Sequence, residues 1–325
     1  MNLPFEDIKL NVLVKKVSIS SSKYGCKPSD RKAEELINYG VTNINKPKGP
    51  TSHEVSAFVQ RILNIKKSGH SGTLDPRVTG VLPVALSRAT KVVQYLLTAG
   101  KEYVAVMHLH KEISEDDLNK VIDQFTGTIN QLPPIKSAVK RQIRPRTIYY
   151  IEIMEIDGKD VLMRIGCQAG TYIRKLLHDI GQTIGCGAHM AELIRTKAAG
   201  FNDKEMWTLQ DLTDAYAYYK NGNDKFLRKV ILPIEEAVSH LKKVWVCDSA
   251  INSICHGANL KAPGVSKLND KIKIGEEIAI FSLKDELVAV GTAKMNSKLV
   301  MKKEKGIVVK VHQVFMIPGT YPKMG

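Results

Sequence analysis

The sequence predicts an α+β fold, a mixed-sheet region followed by a small and mostly β second domain. Three observations predict it. Apolar residues recur at helical spacing behind good N-cap residues. Alternating or wholly apolar runs of strand length lie between those helices. Beyond residue 243 almost every periodic segment reads as strand.

Taken in order, residues 1–40 are mixed and charged, with a Ser-rich patch at 18–22, and read as an N-terminal extension. The main domain spans 41–240. Thr51 and Glu54 form a T-x-x-E capping box, and Val55, Phe58, Val59, Ile62 and Leu63 follow as one helical stripe. Residues 81–86 read as a buried strand. Ser87 is expected to cap a helix carrying Val92, Val93, Leu96 and Leu97. Residues 101–110 alternate as a strand does. Ser114, with Asp117 three residues on, starts a helix whose stripe is Leu118, Val121, Ile122 and Phe125, and Gly127 ends it. Strands at 147–156 and 161–167 meet around Asp157-Gly158, a good hairpin signal. A helix after Gly170-Thr171 presents Ile173, Leu176, Leu177 and Ile180 on one face. A break between Leu232 and His240 precedes the second domain, 243–318. There a strand at 243–248 leads to a helix capped by Ser249 that reaches Cys255. A loop at 257–263, hairpin strands at 272–281 and 287–294, and a last strand at 306–316 follow.

Composition narrows the function. The 325 residues carry 48 Lys plus Arg against 33 Asp plus Glu, a formal charge of +15 that points to a polyanionic partner. Hydrophobic residues at 43% exclude a disordered chain. The five cysteines include no CxxC pair, so neither a zinc ribbon nor a thioredoxin-like site is indicated, and reduced thiols are expected. No signal-peptide pattern opens the chain, and no run approaches the ~20 apolar residues that cross a bilayer. A soluble, cytoplasmic protein without membrane partners is expected. No helix-turn-helix or zinc-finger spacing supports a DNA reader.

The most informative segment is GHSGTLDPRVTGVLPVAL, residues 69–86. Its glycines let backbone approach a ligand, and Asp75-Pro76 displays one carboxylate on a fixed turn just before the buried strand. The basic run Lys140, Arg141, Arg144 and Arg146, with Lys136 ahead of it, lies in an expected loop and makes a plausible phosphate clamp. Arg174 flanks the buried stripe of its helix near the N-terminus, where the helix dipole disfavours a cation, so a specific partner is expected.

GTLDP with TGVLP resembles the active-site signature of the TruB and dyskerin family of RNA pseudouridine synthases. KPKGPTSHEV (46–55), KEYVAVMHLH (101–110), PPIKSAVKR (133–141) and GTYIRKLLHDIG (170–181) resemble the same family in the same order. DSAINSICHGANLKAPGV (248–265) resembles the PUA RNA-binding domain, a small β pseudo-barrel. The absence of an acidic, Thr-Asp-rich insertion after residue 110 places the resemblance with the archaeal dyskerin branch, the catalytic subunits of H/ACA guide-RNA particles.

The resemblance implies isomerisation of uridine to pseudouridine in rRNA and tRNA. It implies no cofactor and no metal, since no redox step occurs and no group is lost. The implied partners are an H/ACA guide RNA, substrate RNA, small Nop-type and Gar-type accessory proteins, and a kink-turn-binding ribosomal-type protein. The implied catalytic residues are Asp75, as nucleophile or base at the ribose, Tyr103, stacking on the uracil, and Arg174, pairing with Asp75. His70 is placed near the target nucleotide. Lys136, Lys140, Arg141, Arg144 and Arg146 belong to an RNA-gripping loop. The extension is implied to pack on the PUA-like domain. A stand-alone tRNA pseudouridine-55 synthase and a non-catalytic RNA-binding scaffold are the alternatives. The scaffold predicts loss of Asp75, Tyr103 or Arg174, and all three are present.

Overall fold

The computed structural model describes residues 1–133 and 140–323. The chain runs through β1 (Val12–Val14), α1 (Ala33–Tyr39), β2 (Gly40–Lys46), α2 (Ser52–Leu63), β3 (Ser68–His70), β4 (Thr79–Leu86), α3 (Val93–Thr98), β5 (Lys101–Leu109), α4 (Glu115–Phe125) and β6 (Gly127–Gln131). It continues through β7 (Arg144–Asp157), β8 (Asp160–Cys167), α5 (Ile173–Ile184), β9 (Ala188–Ala198), β10 (Phe201–Asn202), α6 (Leu209–Lys220), α7 (Leu227–Val230) and β11 (Ile231–Pro233). The last part holds β12 (Lys242–Val246), α8 (Asp248–Cys255), β13 (Leu260–Lys261), β14 (Val265–Asn269), β15 (Glu277–Phe281), β16 (Leu287–Ala293), α9 (Ser297–Lys302) and β17 (Ile307–Val314).

Two mixed sheets result. The larger is ordered β11-β2-β4-β9-β5-β8-β7-β6, with β10 added to β9 and β3 to β4. The smaller is ordered β1-β14-β12-β15-β16-β17-β13. Helices cover the larger sheet because their apolar stripes need burial. Ile173, Leu176, Leu177 and Ile180 of α5 join Leu118 and Ile122 of α4 against Met107, Met163 and Ile165. Val55, Val59 and Leu63 of α2 meet Leu82, Val84 and Leu86 of β4 with Leu212 of α6. A third cluster spans both sheets, joining Val81, Tyr95 and Leu96 to Trp245, Phe281, Leu287 and Phe315.

The extension is woven into both halves. β1 pairs antiparallel with β14 of the smaller sheet, and Ser20 and the Ser21 amide donate to Asp248. Arg31 makes a buried two-pronged bridge to Glu235 at 2.7 Å on each arm, and Glu235 also accepts the Leu287 amide at 2.9 Å. Leu3 is fully buried, and Ala33, Leu36 and Ile37 of α1 belong to the core beneath β2.

The capping box at Thr51 and Glu54 forms with both of its bonds, and the Ser114 hydroxyl accepts from the Asp117 amide. Other expectations differ. Ser87 does not cap a helix: it sits at φ +45 inside a 3-10 turn (Ser87–Val92), and the α-helix begins only at Val93. Asp248, not Ser249, is the first residue of α8, and Cys247 takes the N-cap place. Arg144 and Arg146 lie within the long strand β7 rather than in a loop, because residues 144–148 pair with β6.

Candidate active site

The sheet order sets the site. β4, β9 and β5 are neighbours, and their register puts Gly80 beside Arg195 and Arg195 opposite Tyr103. The loop carrying Asp75 enters β4 directly, and α5, carrying Arg174, packs beside β9. Three sequence-distant pieces therefore converge at one end of the sheet.

The Asp75 loop is pinned from beneath. Ser52 Oγ accepts the Leu74 amide at 2.8 Å, and the Val78 amide donates to the Asp75 carbonyl at 3.0 Å. The fully buried Lys46 ammonium donates to the Pro47, Pro76 and Val78 carbonyls at 2.9, 3.3 and 2.8 Å. Burial, then the neighbouring Arg195, push the Lys46 pKa down, and Asp75 opposes them. The turn around Asp75 is thus fixed while its side chain remains open to solvent.

Arg174 lies in the first turn of α5 and its guanidinium donates to the Asp75 carboxylate, forming an ion pair. This partner accounts for a cation where the helix dipole disfavours one. Gln131, nearly buried, fixes the entry to that helix: its side-chain oxygen accepts the Tyr172 amide at 3.0 Å, and its side-chain nitrogen donates to the Tyr172 carbonyl at 3.2 Å. Arg174 also borders a cleft of about 480 Å³ with Lys48, Arg77, Val78, Glu192 and Leu193, a volume in the range of ligand pockets.

Tyr103 is half-buried on β5, directly opposite Arg195 in the strand register. Burial raises its pKa, and Arg195 partly offsets that rise. Arg195 is itself almost wholly buried. Its Nε donates to the Val81 carbonyl at 2.7 Å and its Nη2 to the Gly72 carbonyl at 3.3 Å. Arg195 therefore bonds to the Asp75 loop from the position opposite Tyr103.

His70 ends β3 beside this loop. Its Nδ1 accepts the Gly72 amide at 3.3 Å, and its ring packs edge-on against His53 at 4.7 Å between centroids. Burial, followed by His53 and Arg195, pushes its pKa down to about 4, so the ring is neutral near pH 7.

The basic residues are dispersed. Lys140 and Arg141 are exposed at the foot of β7, and Lys136 lies outside the described residues. Arg146 reaches the Gly170 carbonyl at 3.0 Å, which ties β7 to the turn before α5. Arg144 is half-buried at the start of β7, and its Nε has no partner among the described residues. In the smaller sheet, Lys242 pairs with Glu276 at 2.7 Å, and Lys243 and Lys267 lie over the Phe281 and Trp245 rings. A second cleft, of about 610 Å³, lies between residues 66–67, 87–91 and 314–318. It presents Lys66, Lys67, Arg88 and Lys91 and no carboxylate, a lining suited to phosphate rather than to proton transfer.

Gln131 and Arg195 support the site yet carry no motif signal, and Lys46, though it opens the KPKGPTSHEV string, is not singled out within it. Arg195 shares strand parity with the buried Leu193, and an arginine on the inward face of a strand is the sign that marks it. Among the described residues no cluster of His, Cys, Asp or Glu is arranged to hold a metal, and no helix is long and apolar enough to cross a membrane.

Comparison with known proteins places this geometry. Residues 60–173 match the N-terminal domain of the TruB family pseudouridylate synthases, and residues 174–239 match the tRNA pseudouridylate synthase B C-terminal domain. Residues 242–315 match the PUA domain and residues 3–56 the DKCLD domain. A probable tRNA pseudouridine synthase B of Methanopyrus kandleri is 53% identical across 99% of this chain and 95% of its own. The Pyrococcus abyssi protein of that name is 54% identical across 98% and 96%. The crystal structure of a Cbf5-Nop10-Gar1 complex contains a chain that is 52% identical, with a TM-score of 0.94 and 99% coverage of both chains. A structure of an H/ACA RNP bound to a substrate RNA containing 2'-deoxyuridine contains one that is 50% identical, with a TM-score of 0.92 and 99% coverage of both. With a fixed carboxylate-guanidinium pair beside a half-buried tyrosine, and these likenesses along its whole length, the chain belongs to the TruB family of pseudouridylate synthases and is an RNA pseudouridine synthase.

Proposed function

We propose that the chain is the catalytic subunit of a guide-RNA-directed H/ACA ribonucleoprotein that converts chosen uridines of rRNA, and of tRNA, to pseudouridine in the cytoplasm. Its partners in this reading are the guide RNA, the substrate RNA, Nop-type and Gar-type accessory proteins and a kink-turn-binding protein. The observation that carries the catalytic part is the Asp75–Arg174 pair, held on a fixed turn at the edge of an open cleft. The likeness to Cbf5 chains over 99% of both lengths supports the particle.

The chemistry follows from what must break. The C1′–N1 bond cleaves with its electron pair going to N1, so uracil departs as an anion and the ribose becomes electron-poor. Asp75 acts at that sugar, by attack on C1′ or by removal of the 2′ proton, as carboxylates act at other glycosidic centres. Arg174 keeps the carboxylate ionised and oriented. Tyr103 stacks on the extruded base. The base turns and its C5 electron pair forms the C1′–C5 bond as the Asp75 carboxylate leaves C1′ or returns the 2′ proton; the C5 proton then leaves, and N1 takes up a proton. His70, Lys140, Arg141, Arg144 and Arg146 contact the RNA, as does Lys136. The cation-lined cleft at Lys66, Lys67, Arg88 and Lys91 suits guide-RNA phosphates.

The test is mass mapping of pseudouridine in a defined RNA, with and without a complementary guide and the accessory proteins. Modification only at the guide-selected uridine supports the particle. Modification of a tRNA loop without guide supports the second reading, a stand-alone tRNA pseudouridine synthase, which the names of the relatives favour.

A further inference from the structure

Arg195 is a buried guanidinium without a carboxylate. Among the described residues no Asp or Glu pairs with it; its guanidinium donates to the Val81 and Gly72 carbonyls, and the strand register sets Tyr103 directly opposite it. A buried charge left without an opposite charge is costly, and folds retain one where its position does something. Its position is set by an irregularity. Along the β5–β9 pairing Glu102 faces Lys197, yet Tyr103 faces Arg195, so Thr196 is an extra residue on β9. Such bulges re-aim a neighbouring side chain and recur beside active sites. Here the bulge is anchored: Thr196 Oγ1 donates to the buried Glu102 carboxylate at 2.8 Å, and that carboxylate also accepts the Tyr150 hydroxyl at 2.5 Å. On the other side Gly80, at φ +102, leaves room where a Cβ would meet the Arg195 carbonyl at 2.2 Å. Glu102, Thr196 and Gly80 together fix the backbone that sets Arg195 opposite Tyr103.

We propose that Arg195 is a positioning residue for the isomerisation. It holds the Tyr103 hydroxyl in one orientation and sets a fixed positive charge beneath the departing uracil anion, and the Glu102-anchored bulge at Thr196 aims it. The inference rests on the Asp75-centred reading above and deepens it. Negative charge develops on the ring that Tyr103 faces, and a preorganised cation in a water-poor site acts on such charge without having to reorient. Lysine does not reproduce this, because a point ammonium cannot span two carbonyls and a hydroxyl in one plane.

The test is a double-mutant cycle on the full chain, assembled with guide RNA and accessory proteins, read as single-turnover pseudouridine formation. Arg195→Lys is expected to slow turnover by about thirtyfold or more, with substrate-RNA affinity unchanged within about twofold. In a Tyr103→Phe background the same change is expected to cost less than about threefold, because lysine keeps the positive charge and loses only the hold on that hydroxyl. Multiplicative losses would overturn the proposal, as would a normal rate for Arg195→Lys. Thr196→Val carries the same cycle should Arg195→Lys melt at the assay temperature: a loss of about fivefold or more that vanishes in Tyr103→Phe is expected, and a loss that persists there would overturn it. Asp75→Asn separates the two readings. If it is inactive while the Arg195 cycle is multiplicative, only this inference fails; if it is active, the Asp75 reading fails first.

Discussion

Arg174 and Asp75 form an ion pair in which both side chains stay open to solvent, 61% and 52% exposed. An ion pair so exposed contributes at most about 1 kcal/mol to stability. The pinning of its two supporting turns, by Lys46 and Ser52 on one side and by Gln131 on the other, is far more elaborate than that gain explains. In the proposed function that pinning serves chemistry rather than stability.

Arg174→Lys therefore separates fold from function. The melting temperature is expected to move by no more than about 2 °C, since the pair is exposed. Turnover is expected to fall by about a hundredfold, because a lysine loses the planar fork that orients the carboxylate. Differential scanning calorimetry and single-turnover assays on the same preparation check both halves.

Lys46→Met is expected to cost stability as well as turnover. It leaves the Pro47, Pro76 and Val78 carbonyls without their donor in a buried place. A loss of about 2–4 kcal/mol in unfolding free energy is expected from denaturant titration, together with slower turnover from a loosened Asp75 turn.

Tyr103→Phe keeps the ring and loses the hydroxyl on the residue opposite Arg195, whereas Tyr103→Leu loses the stacking surface as well. Phenylalanine is expected to bind substrate RNA normally and turn over slowly, and leucine to lose about tenfold more in rate. Equal rates for leucine and the parent protein would exclude stacking at this position.

Acid should destabilise the fold through two histidines. Burial holds His70 and His240 near pKa 4, below the ordinary value of 6.5. Between those values the unfolded chain binds more protons, so stability is fully present above about pH 6.5 and is lost as pH falls toward 4. His240→Leu is expected to remove about one proton of uptake on unfolding near pH 5, read as a shallower dependence of the denaturation midpoint on pH.

The local signals of this chain were strong where one residue type acts alone. Thr51 with Glu54, Ser114 with Asp117 and the Asp157-Gly158 turn specify their elements without help from distant chain. Asp75 and Arg174 were visible through their motifs, and the unfavourable helix-dipole position of Arg174 called for a partner. What was not legible depends on pairing across sequence. Arg144 and Arg146 look like loop residues until β6 supplies their strand partner. Ser87 reads as a cap because nothing local announces the 3-10 turn that precedes α3. Arg195 acquires its meaning from a register shift between β5 and β9, which no periodicity encodes. Lys136 lies outside the described residues.

Guide-RNA binding should be steeply salt-dependent. Lys66→Ala with Lys91→Ala is expected to flatten the slope of log affinity against log salt by up to about two units if both contact phosphate. Filter binding from low to moderate salt measures it, and an unchanged slope would show that this cleft is not on the RNA path.

The most direct test of the account is Asp75→Asn in the assembled particle with a matched guide and substrate. The substitution keeps the size of the side chain and removes its charge and its nucleophilic or basic oxygen. Single-turnover pseudouridine formation, read by mass after nuclease digestion, is expected to fall by about a thousandfold or more, with substrate RNA bound within about threefold of the parent affinity. A rate within about tenfold of the parent, from a particle that binds its RNA normally, would contradict it.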